Sequence, residues 1–259
     1  MSYKIVFFDI DGTLVNDEKV IPADTVQAIQ QLKATGVEPV IATGRAPYFI
    51  QPLMKQLGIA SYVSLNGAYA VYKGEVVFQQ AMDRTSIEKL VEIAERHEHP
   101  LVFEGTKQFA TNQENHPAMV AAVSSLKVTL PAYNPQFWQQ HNIMQIFLHC
   151  TSSDEHLYAA LHDDLTFIRW HEQAMDVLPL GLSKAVGIEA MLNKLGLTNA
   201  DAVAFGDGLN DKEMLRAVGL GIAMGNSHAD LLPHADFVTT HVDEQGIRNG
   251  LIKAALLPA

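Results

Sequence analysis

The stretch Ile5-Val6-Phe7-Phe8-Asp9-Ile10-Asp11-Gly12-Thr13 decides how the chain is read. Its first four residues are β-branched or aromatic without polar alternation, the pattern of a strand covered on both faces in a parallel sheet. Two aspartates follow at i and i+2, which share a side when the backbone is extended. Working outward, Val26, Ile29 and Leu32 recur at three-residue spacing after Pro22, and Gly36 stands where a helix would end. The next apolar run, Val37 to Ile41, ends in Ala42-Thr43-Gly44-Arg45. Strand, helix and strand in this order form a βαβ unit, whose handedness brings both strand ends to one sheet edge. Thr43 is therefore expected beside Asp9.

The same grammar returns near the C-terminus. Ser183 to Leu195 reads as a helix closed by Gly196, Ala202 to Phe205 as a buried strand leading into Gly206-Asp207-Gly208, and Leu220 to Met224 as another ending in Gly225-Asn226. Ligands of open α/β sheets bind outside such strand ends. The gap between Arg45 and Lys184 far exceeds the one between Asp11 and Thr43, so an insertion must lie there. Within it, Asn66-Gly67 and Lys73-Gly74 signal hairpins, and Thr85-Ser86-Ile87-Glu88 reads as a capping box before the stripe Ile87, Leu90, Val91 and Ala94. Strands are predicted over 101–103, 143–150, 165–170 and 175–178, and helices over 117–126 and 155–161. The expected fold is α/β: a Rossmann-like parallel-sheet core with helices on both faces, residues 1–82 and 180–259, plus an inserted α/β cap, residues 83–179.

Composition narrows the function classes. Among 259 residues, 18 Lys and Arg stand against 29 Asp and Glu, and the net charge of −11 offers no broad basic surface for a polyanion, so no nucleic-acid partner is expected. No apolar run approaches the roughly 18 residues of a membrane span, so no membrane partner is expected either. One cysteine, Cys150, cannot form an internal disulfide, and the expected location is the cytoplasm. Cys150 itself reads as a small buried hydrophobe.

Asp9 and Asp11 offer the hard oxygens that Mg²⁺ prefers, and Asp207 on a second strand-end loop is a candidate to complete that site. An EF-hand is rejected because Gly12 falls at the fourth position where that loop needs its sixth. For Asp211 the ordinary reading is a helix N-cap, and for Lys184 a solvated residue in a first helical turn. His97 and His99, at i and i+2, do not face each other on a helix, and no zinc role is assigned. Glu104, Lys107 and His116 are polar cap positions with no assigned role, and Trp138, Trp170, Phe103 and Phe109 read first as core.

Taken together, Asp9 to Thr13, Thr43, Lys184 and Gly206-Asp207-Gly208-Leu209-Asn210-Asp211 resemble, in order and placement, the four motifs of the haloacid dehalogenase-like hydrolases. The Ala42-Thr43-Gly44-Arg45, Leu65-Asn66-Gly67-Ala68 and Met224-Gly225-Asn226 stretches are most similar to the Cof-type phosphatases with a class IIB cap. Ala185 departs from the glycine that many relatives carry after the lysine. The resemblance implies a Mg²⁺-dependent phosphatase acting on small phosphorylated metabolites, sugar phosphates among them. Asp9 would be the nucleophile that forms an aspartyl-phosphate and Asp11 the general acid and base. Magnesium would be held by the Asp9 side chain, the Asp11 backbone carbonyl and the Asp207 side chain. Thr43, the Ile10 and Gly44 amides, Lys184 and Asn210 would grip the phosphoryl oxygens, supported by Asp211 and Arg45. The rival readings are a sugar phosphomutase and a non-catalytic phospho-ligand sensor.

Overall fold

Alternate residues of β1 (Ile5–Phe8) feed two separate hydrophobic clusters, Val6 and Phe8 one of them, Ile5 and Phe7 the other. All four are fully buried, as a strand covered on both faces must be. The computed structural model describes residues 3–258. After β1 come α1 (Ala23–Ala34), β2 (Glu38–Ala42), α2 (Pro47–Leu57), β3 (Tyr62–Ser64), β4 (Tyr69–Tyr72) and β5 (Glu75–Gln79). The insertion contributes α3 (Arg84–Arg96), β6 (Leu101–Glu104), β7 (Phe109–Thr111), α4 (Pro117–Ser125), β8 (Ala132–Tyr133), α5 (Phe137–Gln140), β9 (Gln145–Leu148), β10 (Leu165–His171) and β11 (Ala174–Pro179). The chain then returns as α6 (Lys184–Leu195), β12 (Ala202–Gly206), α7 (Lys212–Ala217), β13 (Leu220–Ala223), β14 (Phe237–Val238) and α8 (Gly246–Lys253).

Two compact units result. The first takes the chain up to Arg45, Ile50–Gln79 and everything from Ser183 onward. Its sheet runs β14-β13-β12-β1-β2-β3-β4-β5, parallel from β14 through β3, with β4 and β5 added antiparallel by the two predicted hairpins. Helices α1, α2 and α8 supply side chains to one cluster, α6 and α7 to the other. The Rossmann-like core is thus built as its hydrophobic patterning requires. Among the described residues no helix is long and apolar enough to cross a membrane.

The second unit comprises Gln80–Leu182 together with Ala46–Phe49, the start of α2. Its sheet, β10-β11-β9-β6-β7-β8, is antiparallel except for the β7–β8 pair. One face is apolar, with Leu101, Phe103, Ile146, Leu148 and Val177 packed with Ile87, Leu90 and Ala94 of α3. Cys150 is buried in that cluster. The expected capping box is corrected: α3 begins at Arg84, and the Asp83 carboxylate accepts from the Ser86 amide at 3.1 Å. Asp83, extended at the position before the helix, satisfies an orphan amide that Thr85, already inside the first turn, cannot reach. The segment predicted as a helix over 155–161 is a 3₁₀ stretch, Ser152–Leu161. Strands β8 and β14 were not predicted, because two residues carry no readable period.

Candidate active site

Parallel pairing of β1 with β2 and β12 ends all three strands at one edge, which carries Asp9, Thr43 and Asp207. Asp9 is 7% exposed, and its Oδ1 accepts from Lys184 Nζ at 2.6 Å. The same ammonium donates to Asp211 Oδ1 at 2.7 Å. Lys184, which as an isolated residue reads as solvated, is fully buried. Its position follows from Gly67, at φ +100°, where a Cβ would meet the Ser183 carbonyl at 2.0 Å. Only glycine lets the turn after β3 lie against the start of α6 and hold the lysine at the sheet edge. Asp211 Oδ2 accepts the Asp207 and Gly208 amides, both at 3.0 Å, so this side chain ties the fourth loop to Lys184 instead of capping α7.

One oxygen from each of Asp9, Asp207 and Asp211 lies within 4.8 Å of the others. Burial, with Asp211 and Asp11 adding repulsion against the pull of Lys184, pushes the Asp9 carboxyl up to about 7. Burial, Asp9 and Asp211 push Asp207 up to about 8, against a 2.8 Å hydrogen bond from Thr13 Oγ1. Three carboxylates thus face one lysine, and their oxygens are the hard donors a divalent cation takes. Mg²⁺ fits this donor set. Gly12, at φ +77°, brings the first loop against the cluster, since a Cβ there would stand 2.2 Å from Asp207 Oδ2.

Asp11 belongs to a different ionic group. Its carboxylate receives Arg45 through Nε and Nη2, each at 2.7 Å, and Lys19 Nζ at 2.6 Å. Burial raises its proton affinity, but Arg45 and Lys19 outweigh that and hold the carboxyl below its usual range. Lys19 escaped the sequence reading because it lies in a loop with no motif spacing.

Thr43 is 1% exposed, and its Oγ1 accepts the Arg45 amide at 3.1 Å. Asn66 connects this loop to the fourth: its amide donates to the Thr43 carbonyl at 3.1 Å and its Oδ1 accepts from Asn210 Nδ2 at 2.9 Å. Gly44 lies against the same side chain, where a Cβ would approach Asn66 Nδ2 at 3.0 Å. The Ile10 carbonyl accepts the amides of Thr13, Leu14 and Val15, folding the first loop tightly after Asp9. Asn226 Nδ2 donates to the Gly12 carbonyl at 2.7 Å. In the sequence Asn66 was read as a turn residue and Asn226 as a strand-end one, each within a stretch that resembles the family, and neither was assigned a role in the site.

Removing the lysine separates structure from chemistry. Lys184→Met is expected to lower stability by about 3 kcal/mol, because it leaves Asp9 and Asp211 buried without their cation. Denaturant titration measures it, and an unchanged midpoint would contradict the ion-pair geometry.

Fold and site together define a class: an α/β enzyme presenting carboxylates and a buried lysine at the carboxyl edge of a parallel sheet. A family model described as haloacid dehalogenase-like hydrolase matches residues 6–251. The chain is 38% identical over 257 residues to YkrA of Bacillus subtilis (strain 168), provisionally named a phosphatase, covering 99% of this chain and 100% of that protein. A crystal structure of a hypothetical protein from Geobacillus kaustophilus superposes with a TM-score of 0.91 at 44% identity, covering 99% of this chain and 100% of that one. A sugar phosphatase of haloacid dehalogenase subclass IIB superposes at 0.88 and 28% identity, covering 98% and 100%. The chain belongs to the haloacid dehalogenase-like hydrolases and is a phosphatase of that family.

Proposed function

We propose that the protein hydrolyses small phosphomonoesters, sugar phosphates or similar metabolites, in a Mg²⁺-dependent reaction through an aspartyl-phosphate on Asp9. The observation that carries this reading is the convergence of Asp9, Asp207 and Asp211 on Lys184 at the strand ends. Mg²⁺, held by the Asp9 and Asp207 side chains and the Asp11 carbonyl, would supply positive charge that lets a phosphate dianion approach buried carboxylates. Asp9 attacks phosphorus, splitting one displacement into two easier ones. Thr43, Lys184, Asn210 and the amides of Ile10 and Gly44 hold the equatorial oxygens, where charge stabilisation carries most of the rate. Asp11, ionised between Arg45 and Lys19, is in the state of a base ready to deprotonate the hydrolytic water. To protonate a leaving group it must first exchange those two partners. The inserted unit is assigned to selection of the leaving group.

Steady phosphate release from an aryl phosphate tests the reading. Exhaustive chelation is expected to reduce the rate by at least about a hundredfold, and added Mg²⁺ to restore it. Full activity after chelation would exclude the metal site. Isomer formation from a sugar phosphate without free phosphate would favour a mutase.

A further inference from the structure

The first loop carries a cation that none of the four motifs assigns. After Gly12 the chain doubles back: the Gly12 amide donates to the Val15 carbonyl at 2.9 Å, and the Asn16 amide to the Val20 carbonyl at 3.1 Å. Asn16 closes the turn that follows, its Oδ1 accepting the Val20 amide at 3.0 Å while its Nδ2 donates to Asp243 Oδ1 at 2.9 Å. Lys19 stands in this turn at φ +61°, in the left-handed region that glycine adopts freely and a lysine only at a cost in free energy. A strained, non-glycine position beside an active site is a pointer to function. The Lys19 ammonium donates to Asp11 Oδ1 at 2.6 Å, with the lysine side chain 27% and the aspartate 34% exposed, so water screens the pair only in part.

Arg45 grips the same carboxylate, Nε on Oδ2 and Nη2 on Oδ1. Each carboxylate oxygen has room for two donors. With Nη2 and the Lys19 ammonium upon it, Oδ1 is filled, whereas Oδ2, holding Nε alone, keeps one lone pair. We propose that Lys19 is a positioning residue for the second half of the reaction: it occupies Oδ1 and fixes the Asp11 carboxylate so that Oδ2 is the oxygen that takes a proton from the hydrolytic water. In that step the water oxygen bonds to phosphorus, one of its protons passes to Asp11 Oδ2, and the bond from phosphorus to Asp9 breaks, its electron pair returning to the Asp9 carboxylate. This role rests on the aspartyl-phosphate reading above and deepens it. The first half depends less on Lys19 when the leaving group is an aryl oxide, which departs with little help from a proton.

Lys19→Gly removes the ammonium and suits the left-handed backbone, so the turn keeps its shape, while Lys19→Arg keeps the charge. Each variant and the unmodified enzyme are mixed with a labelled aryl phosphate and Mg²⁺, chased with unlabelled substrate and acid-quenched, so that formation and decay of phosphate on Asp9 are read separately. In Lys19→Gly the decay constant is expected to fall about tenfold, the scale of one charge-assisted hydrogen bond, with formation changed by less than about threefold. Lys19→Arg is expected to bring decay back to within about threefold of the unmodified enzyme. A merely structural lysine would slow both constants together. Equal losses in the two constants, an unchanged decay, or an arginine variant no better than the glycine one overturns the proposal. If the unmodified enzyme carries no phosphate on Asp9, the aspartyl-phosphate reading falls and this proposal with it. Phosphate that forms on Asp9 and decays alike in all three proteins overturns this proposal only.

Discussion

Asp9→Asn is expected to reduce phosphate release by at least about four orders of magnitude, the scale on which removal of a covalent nucleophile is felt. The amide keeps the shape of the side chain, so its hydrogen bond from Lys184 can survive in altered form while the attacking charge is gone. Acid-quenched native enzyme should carry phosphate on the peptide containing Asp9, and the variant should carry none. Residual turnover within tenfold of the native rate would sink the covalent mechanism while leaving family membership intact. The contrast with Lys184→Met is informative. That change acts on stability and rate together because its ammonium neutralises two buried carboxylates, whereas Asp9→Asn removes one of those charges and should leave the protein folded.

The metal-free protein is expected to lose several kcal/mol of stability as pH rises from about 5 to about 9. The sign follows from protons bound. Asp9 and Asp207 titrate near 7 and 8 in the folded chain, against 3.8 as the model value for an aspartate. Between those limits the folded state holds protons that the unfolded state has released, so raising the pH favours unfolding. The contribution is fully present below pH 3.8 and is lost as pH passes through 7 to 8. Saturating Mg²⁺ should reverse the trend over the same window, since it binds the ionised cluster and stabilises the state that holds it. Thermal unfolding at several pH values, with chelator and with Mg²⁺, measures both arms. A metal-free protein that gains stability toward pH 9 would show that the three carboxylates do not share one buried space.

Much of this was present in one dimension. A buried strand running straight into Asp9 and Asp11, repeated as strand ends at Thr43, Asp207 and Asn226, determined the parallel sheet and the edge where the chemistry gathers. That reading works because the period of apolar residues and the handedness of βαβ units are local properties of the chain. The ordinary reading of Lys184 failed, and no local signal could have rescued it: the two carboxylates it neutralises lie 175 and 27 residues away. Lys19 was invisible for the same reason, and Asn66 was legible as a turn residue but not as the link between the second and fourth loops. Amino-acid order by itself determined which groups arrive at the edge. Only tertiary packing decided which are buried together, and burial sets their charge, because desolvation and neighbouring ions depend on distances in space that no spacing along the chain contains.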